Sequence, residues 1–579
     1  MMLCTLAKAT VCLAVCLSWQ AAALPFIGSV PSLSDISITE LQQLLDSGAV
    51  NSRDLVELYA SRIAEVNDEL HAVIETDIPS ALAAAEILDR ERAHGQLRGP
   101  LHGIPILVKD NFATTATSST SSPSLRTGAG SICLASGSRP AEEATVVAKL
   151  RAAGAVLLGK TNQAEFSGAR GRRVPQGWSA RGGQTYGGYV RGQTACGSSS
   201  GSGVAAGLGL AAAALGTETA GSVTCPASFG NVVGVKPTVG LTSRFGVVPV
   251  TARQDTVGVL AQSVADAAVL LEVMAGRDGG RDNYTEAQPW ERPPRYTQAL
   301  DAGALEGRRI GVLWHEQGIG FGVDWWANKK QIRRLFDAAL DDLRRAGAEL
   351  VDVPLEGHEE DEGPLDQHIP IRNQTEYMLP DFKEGLARYY DNLVPDDDDP
   401  DKAMRNHTQL LACLRSDPRE RADEYGLEVL AAIVEEKEPL RPAGGAGAWS
   451  AYMNRSTSTG SFIRKPLREQ KLNGLVMYMD LAIALASAPG LPIVTVPMGG
   501  LGEDARVVYG SDDGASPRLV VGAPGMPQGL SFVGEEWSEM GLIGFAYAYE
   551  RVSQRRRTLR PWVRLGSDLG DRVEEVWEL

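Results

Sequence analysis

Apolar and polar positions fall into a readable order from Ser37 onward. Ser37-Ile38-Thr39-Glu40 has capping-box spacing; Leu41, Leu44 and Leu45 follow, and Gly48 stops the pattern. A second helix is predicted from Leu55, Leu58, Tyr59, Ile63 and Val66, which share one stripe. The run 104–108 is apolar on both faces, as expected of a strand inside a sheet covered by helices, and it ends on Lys109. Helix 141–152, Gly154 and strand 155–158 make a helix-to-strand step. The same order recurs at 329–346, Gly347 and 348–353, while helix 263–275 ends at Gly276. Strand-like runs return at Gly474 and over 491–497. Alternating helices and short apolar strands predict an α/β layered fold. The Ala-rich stretch Val204 to Leu215 is read as a helix.

Between about 278 and 470 the chain turns acidic and Pro-rich. We read 24–579 as one catalytic domain carrying this stretch as a large, partly irregular surface insertion. The Asp396–Asp399 run inside it reads as a solvated loop rather than a cation site. Residues 1–23 read as a signal peptide: Lys8 is a minimal charged region, Ala9 to Trp19 is too short to span a bilayer, and Ala21-Ala22-Ala23 gives a small-residue cleavage pattern. Asn-x-Ser/Thr triplets stand at Asn283, Asn373, Asn406 and Asn454, and together with the signal they imply a secreted glycoprotein.

Composition changes this picture little. The 579 residues are 43% hydrophobic and 22% charged, which excludes disordered and fibrous classes. A net charge of −16 without a basic cluster argues against a nucleic-acid partner. No later apolar stretch is long enough for stable membrane insertion. Cys133, Cys196, Cys225 and Cys413 follow the signal; they allow a disulfide in an oxidising compartment, with its pairing open. Their spacing resembles no zinc site. Oligomeric state has no signature here.

Several motifs suggest chemistry. Gly154 to Thr161 matches P-loop spelling, but Ala-Val-Leu-Leu between its glycines reads as a strand and not a phosphate cradle. Gly201-Ser202-Gly203 loosely resembles a dinucleotide fingerprint yet lacks a preceding apolar strand. Gly197-Ser198-Ser199-Ser200-Gly201 spells a nucleophile elbow, whose partner histidine would be His315, His358, His368 or His407. In Thr219-Ala220-Gly221-Ser222, successive N–H groups of a tight turn suit an anion-stabilising nest.

Taken together, Gly197 to Ser202, Gly216-Thr217-Glu218-Thr219-Ala220-Gly221-Ser222, Gly234 to Thr238 and Pro100 to Asn111 resemble the amidase signature family. The likeness runs from the helices near 37 through Gly529–Gly534 to a final helix near 541–553, and is nearest to extended, secreted fungal-type members. It implies a central mixed β-sheet covered by helices on both faces, and hydrolysis of a small-molecule amide to an acid and ammonia or an amine, with neither metal nor organic cofactor. It also implies a triad of nucleophile Ser222, bridging cis-Ser198 and base Lys109, with Ser199 in support. The backbone N–H groups of Thr219, Ala220, Gly221 and Ser222 would form the oxyanion hole. Ala220 and Ser200 stand where glycine is usual in the family, and Thr224 where arginine is common. The signal segment disfavours the branch that amidates aminoacyl-tRNA. A Ser-His-Asp secreted esterase and a catalytically silent secreted binding protein are the alternative readings.

Overall fold

The computed structural model describes residues 31–115, 125–171, 173–315, 325–355, 375–395, 403–435, 445–510 and 517–572. Its centre is a mixed sheet of 11 strands. In chain order these are β1 (Val73–Thr76), β2 (Pro105–Lys109), β3 (Val156–Thr161), β4 (Ala213–Glu218), β5 (Val233–Lys236) and β6 (Thr256–Ala261). Then come β7 (Arg309–Val312), β8 (Glu349–Asp352), β9 (Gly474–Tyr478), β10 (Ile493–Gly500) and β11 (Pro527–Val533). The spatial order is β1-β3-β2-β4-β6-β5-β10-β11-β9-β7-β8. β3, β2 and β4 run parallel, and β6 returns antiparallel beside β4.

Every residue of β2, β3, β4 and β6 is buried, which is why these strands read as continuous apolar runs rather than alternating ones. One group of mutually packed helices contains Val264–Met274, Lys329–Arg345 and Glu539–Ser553; another contains Ser200–Leu208, Thr224–Phe229 and Met479–Ala486. Both groups pack on the sheet. Leu215, Val235, Val257 and Val259 are wholly buried between them, each worth about 1.5–3 kcal/mol of transfer free energy. The N-terminal helices take the expected places at Ile38–Ser47, with both capping-box bonds, and Ser52–Leu70.

Two expectations need correction. The Ala-rich stretch is not one helix: Ser200–Leu208 stops at Gly209, whose φ of 62° is left-handed, and Ala213–Glu218 is a central strand. Alanine's helical preference, a few tenths of a kcal/mol per residue, yields here to pairing with β2 and β6 on both sides. Nor is 278–470 simply an addition outside the core. It supplies β7 and β8 at one edge of the sheet, besides helices Thr375–Asp391, His407–Ser416 and Ala446–Glu469. The signal segment, Asn373, His358, His368 and Asp396–Asp399 lie outside the described residues. Asn406 and Asn454 are exposed, Asn406 capping His407–Ser416 and Asn454 lying within Ala446–Glu469. Among the described residues no helix is long and apolar enough to cross a membrane.

Both cysteine pairs are bonded, Cys133 to Cys413 and Cys196 to Cys225. The first ties helix His407–Ser416 of the 278–470 stretch to the short helix Ile132–Ala135. Beside it Arg170 pairs with Glu165 and, at 2.9 Å, with Glu420, all three side chains fully buried.

Candidate active site

Parallel strands β2 and β4 end side by side, and the loop after β4 folds back over the start of helix Ser200–Leu208. Lys109 is the last residue of β2, buried by the apolar run that precedes it. Its Nζ lies 2.7 Å from Ser198 Oγ and 2.8 Å from Thr217 Oγ1 on β4, with the Thr217 carbonyl at 3.4 Å. Asn111 Nδ2 donates to the same Thr217 hydroxyl at 3.0 Å. Burial removes water from the ammonium and lowers the Lys109 pKa from 10.5 to about 7, with the charges of Asp255 and Glu218 opposing the shift.

The peptide bond Gly197–Ser198 is cis. Ser199 Oγ donates to the Thr217 carbonyl at 3.1 Å and accepts the Thr217 N–H at 3.2 Å, so its hydroxyl is engaged with the β4 main chain and not with Ser198. This approach requires Gly216, where a Cβ would come within 2.7 Å of Ser199 Oγ. Ser199 N–H donates to the Ser222 carbonyl at 3.1 Å, which seats the two serine-bearing segments against each other. The Cys196–Cys225 disulfide clips the same segments together just outside the serines.

Ser222 is 8% exposed, whereas Ser198 is 2% and Lys109 0% exposed, so accessibility rises from the lysine towards Ser222. The turn before it has Gly221 at φ 84°, a conformation that favours glycine. Ala220 is not among the positive-φ residues, so alanine sits there without that strain. The N–H groups of Ala220, Gly221 and Ser222 donate to no other described residue. The next two N–H groups, of Val223 and Thr224, are held by Glu218 Oε2 at 2.7 and 2.8 Å, and Thr224 Oγ1 donates to Glu218 Oε1 at 3.2 Å. At position 224 a hydroxyl thus serves where an arginine is common in the resembling family.

A cleft of about 500 Å³ opens beside this loop. Thr217 and Thr219 form its floor next to the lysine–serine pair, and Phe245, Val248, Tyr284 and Tyr389 are among its walls. Residues of the 278–470 stretch, including Asn283 and Arg388, line it together with residues of 244–257. The geometry therefore brings Lys109, Ser198, Ser199 and Thr219–Ser222 to one end of the sheet. Thr217, Asn111, Glu218 and Asp255 belong to the same cluster, although sequence reasoning gave them no role. Of these Thr217, Glu218 and Asn111 lay within the motifs that drew attention, and Asp255 did not. As to the histidine alternative, Ser199 Oγ is committed to Thr217, and His407 Nδ1 lies 3.4 Å from the Tyr390 hydroxyl. Among the described residues no group of three or more His, Cys, Asp or Glu is placed to hold a metal.

A family model described as Amidase matches residues 54–363. Over 560 residues the chain is 37% identical to a protein of Arthroderma benhamiae named "Putative amidase", covering 92% of this chain and 88% of that one. It is similar in structure to native peptide amidase from Stenotrophomonas maltophilia, at 36% identity and a TM-score of 0.75, over 91% of this chain and 98% of that chain. An amidase family protein from Bacillus anthracis is similar at 27% identity and a TM-score of 0.74, over 91% of this chain and 92% of the other. Matched by the family model over more than half its length, and by these relatives over nearly all of it, the chain belongs to the amidase family, hydrolases that act on amide C–N bonds.

Proposed function

We propose that the protein hydrolyses an amide through an acyl-enzyme on Ser222, with Lys109 as base and Ser198 as the relay between them. The observation that carries this reading is a lysine amine buried 2.7 Å from a serine hydroxyl, with a pKa near 7. A neutral amine has two hydrogens and one lone pair. The two Thr217 oxygens accept the hydrogens, which leaves the lone pair for the Ser198 proton. Ser222 Oγ then passes its proton to Ser198 as it attacks the amide carbon. The oxyanion that forms is stabilised by the N–H groups of Thr219 to Ser222. Return of the proton through Ser198 to the amide nitrogen lets the C–N bond break and the amine or ammonia depart. Water, activated by the same relay, cleaves the ester to release the acid and restore Ser222.

The cleft is lined by both apolar and charged side chains, and the likeness to a peptide amidase puts peptide amides first among candidates. Export as a glycoprotein, of the secreted fungal type, is supported by the signal-like N-terminus, the exposed sequon asparagines and the two disulfides. The test is a panel of peptide amides, aryl amides and fatty amides, assayed for released ammonia or amine with Ser222→Ala as control. Turnover of at least one class that Ser222→Ala abolishes is expected. Turnover that survives Ser222→Ala in pure protein rejects the assignment.

A further inference from the structure

Asp255 is a half-buried carboxylate outside the triad and the oxyanion hole, yet it touches the loop that carries both. It lies immediately before β6, whose Thr256 pairs with Glu218 of β4, so the antiparallel register sets Asp255 across from Thr219. Thr219 Oγ1 donates to Asp255 Oδ1 at 2.6 Å. The other oxygen, Oδ2, accepts the N–H groups of Val250 and Thr251 at 2.7 and 3.0 Å. Val250 is cleft wall, and Gln254 Nε2 adds a 3.3 Å bond to the Thr219 carbonyl. The wall is anchored in turn: Thr251 Oγ1 donates to Asp381, and Arg253 pairs with the same carboxylate at 3.0 Å.

We propose that Asp255 is a positioning residue for amide hydrolysis, its carboxylate locking the Thr219 end of the oxyanion loop to the wall of the substrate cleft. This rests on the Ser222 reading above. The physical need is specific. Glu218 holds the N–H groups after Ser222, but at the other end of the turn the Thr219 side chain is held through Asp255. Donors that stabilise a transient oxyanion must be in place before charge develops, because misplacement by a fraction of an ångström loses most of their effect. A carboxylate with both oxygens occupied by three donors is a stiff tie between two segments that otherwise meet at a solvent-lined cleft.

The same carboxylate faces Lys109, and so does Glu218; both negative charges favour the ammonium form. Asp255→Asn keeps the shape but removes the charge and turns one of the two accepting oxygens into an NH2 donor, so one side of the tie is lost. It should therefore act twice: kcat falls about ten- to a hundredfold, less than the 10²–10³ of a deleted oxyanion donor, and the acidic limb of the pH–rate profile moves to lower pH. Loss of structure alone would lower the rate without moving that limb. Thr219→Val removes only the hydroxyl end of the tie, so it should lower kcat to a similar extent with the limb where the wild type has it. Because both act on one bond, the double variant should be no slower than the slower single variant by more than about twofold.

The assay is kcat, KM and pH profile on the best amide of the panel. Wild-type kcat in either folded single variant, or an unmoved acidic limb in Asp255→Asn, overturns the proposal, as does a double variant slowed by the product of the singles. Thr219→Val decides by itself if Asp255→Asn does not fold. A wild-type enzyme that neither turns over amides nor becomes acylated at Ser222 would instead refute the underlying mechanism, whatever Asp255 does.

Discussion

Replacing Lys109 by methionine should make the protein inactive and, near neutral pH, more stable. Burial lowers the pKa of this lysine from 10.5 to about 7, so the folded chain holds the proton less tightly than the unfolded chain does. The sign follows from linkage. Above about pH 10.5 the amine is neutral in both states and nothing is lost. As pH falls below that, the unfolded state gains a proton that the folded state lacks, and folding stability declines until the folded amine also protonates near pH 7. At about 1.36 kcal/mol per pH unit the decline amounts to about 4 kcal/mol. Methionine has similar bulk and no charge, so it escapes that cost but loses the amine's hydrogen bonds to Ser198 and Thr217, at about 1 kcal/mol each. Thermal and denaturant melts should show Lys109→Met more stable than wild type by about 2 kcal/mol at pH 7, and less stable at pH 10.5. The same shift explains why the lysine serves as a base: near pH 7 about half of it is neutral, against roughly three parts in ten thousand for an ordinary lysine. Amidase activity should fall by at least the 10²–10⁴-fold expected for a lost general base, and Lys109→Arg should not restore it, because guanidinium stays charged. A methionine variant whose stability relative to wild type is the same at both pH values would refute the claim that Lys109 is buried with a depressed pKa.

Arg170→Met should destabilise the fold by about 3–5 kcal/mol, since it leaves Glu165 and Glu420 buried without their cation; a melt unchanged at pH 7 would contradict it. The Cys196–Cys225 bridge closes 29 residues, for which loop entropy suggests about 3–4 kcal/mol. The Cys196→Ser/Cys225→Ser pair should therefore lower the melting temperature and, because it loosens the segments bearing Ser198 and Ser222, reduce kcat more than it raises KM. Protein from a eukaryotic secretory host should lose mass on enzymatic deglycosylation, with glycan on the exposed asparagines Asn283, Asn406 or Asn454; no mass change would remove the export proposal.

Much of the site was legible because its chemistry is local. A run apolar on both faces marked Lys109 as the residue that ends a buried strand, and the resemblance gave it the role of base. Closely spaced small residues marked the segments around Ser198 and Ser222, and the resemblance assigned their roles. The remainder depends on contacts between distant positions. Asp255 meets Thr219 across 36 residues, and Arg170 meets Glu420 across 250, with no periodicity or motif linking either pair. The pairing of the cysteines was open for the same reason: bonding needs Cα atoms 5.9 Å apart, a distance that spacing does not encode. Ala211–Ala214 was misread because alanine's helical preference is weak beside the main-chain pairing available at the centre of a sheet. Strand β7 and the edge strand β8 beside it were hard to assign to the core because they are short and flanked by charged residues.

The measurement that bears most directly on the central claim is covalent labelling with a fluorophosphonate across pH, with the modified peptide identified by mass spectrometry. The mechanism predicts one adduct, on Ser222, formed at a rate that rises with pH through an apparent pKa near 7 and then levels off. It predicts none in Ser222→Ala, and a flattened profile in Lys109→Ala. Label on Ser199 instead of Ser222, or a labelling rate whose pH dependence is unchanged in Lys109→Ala, would contradict it.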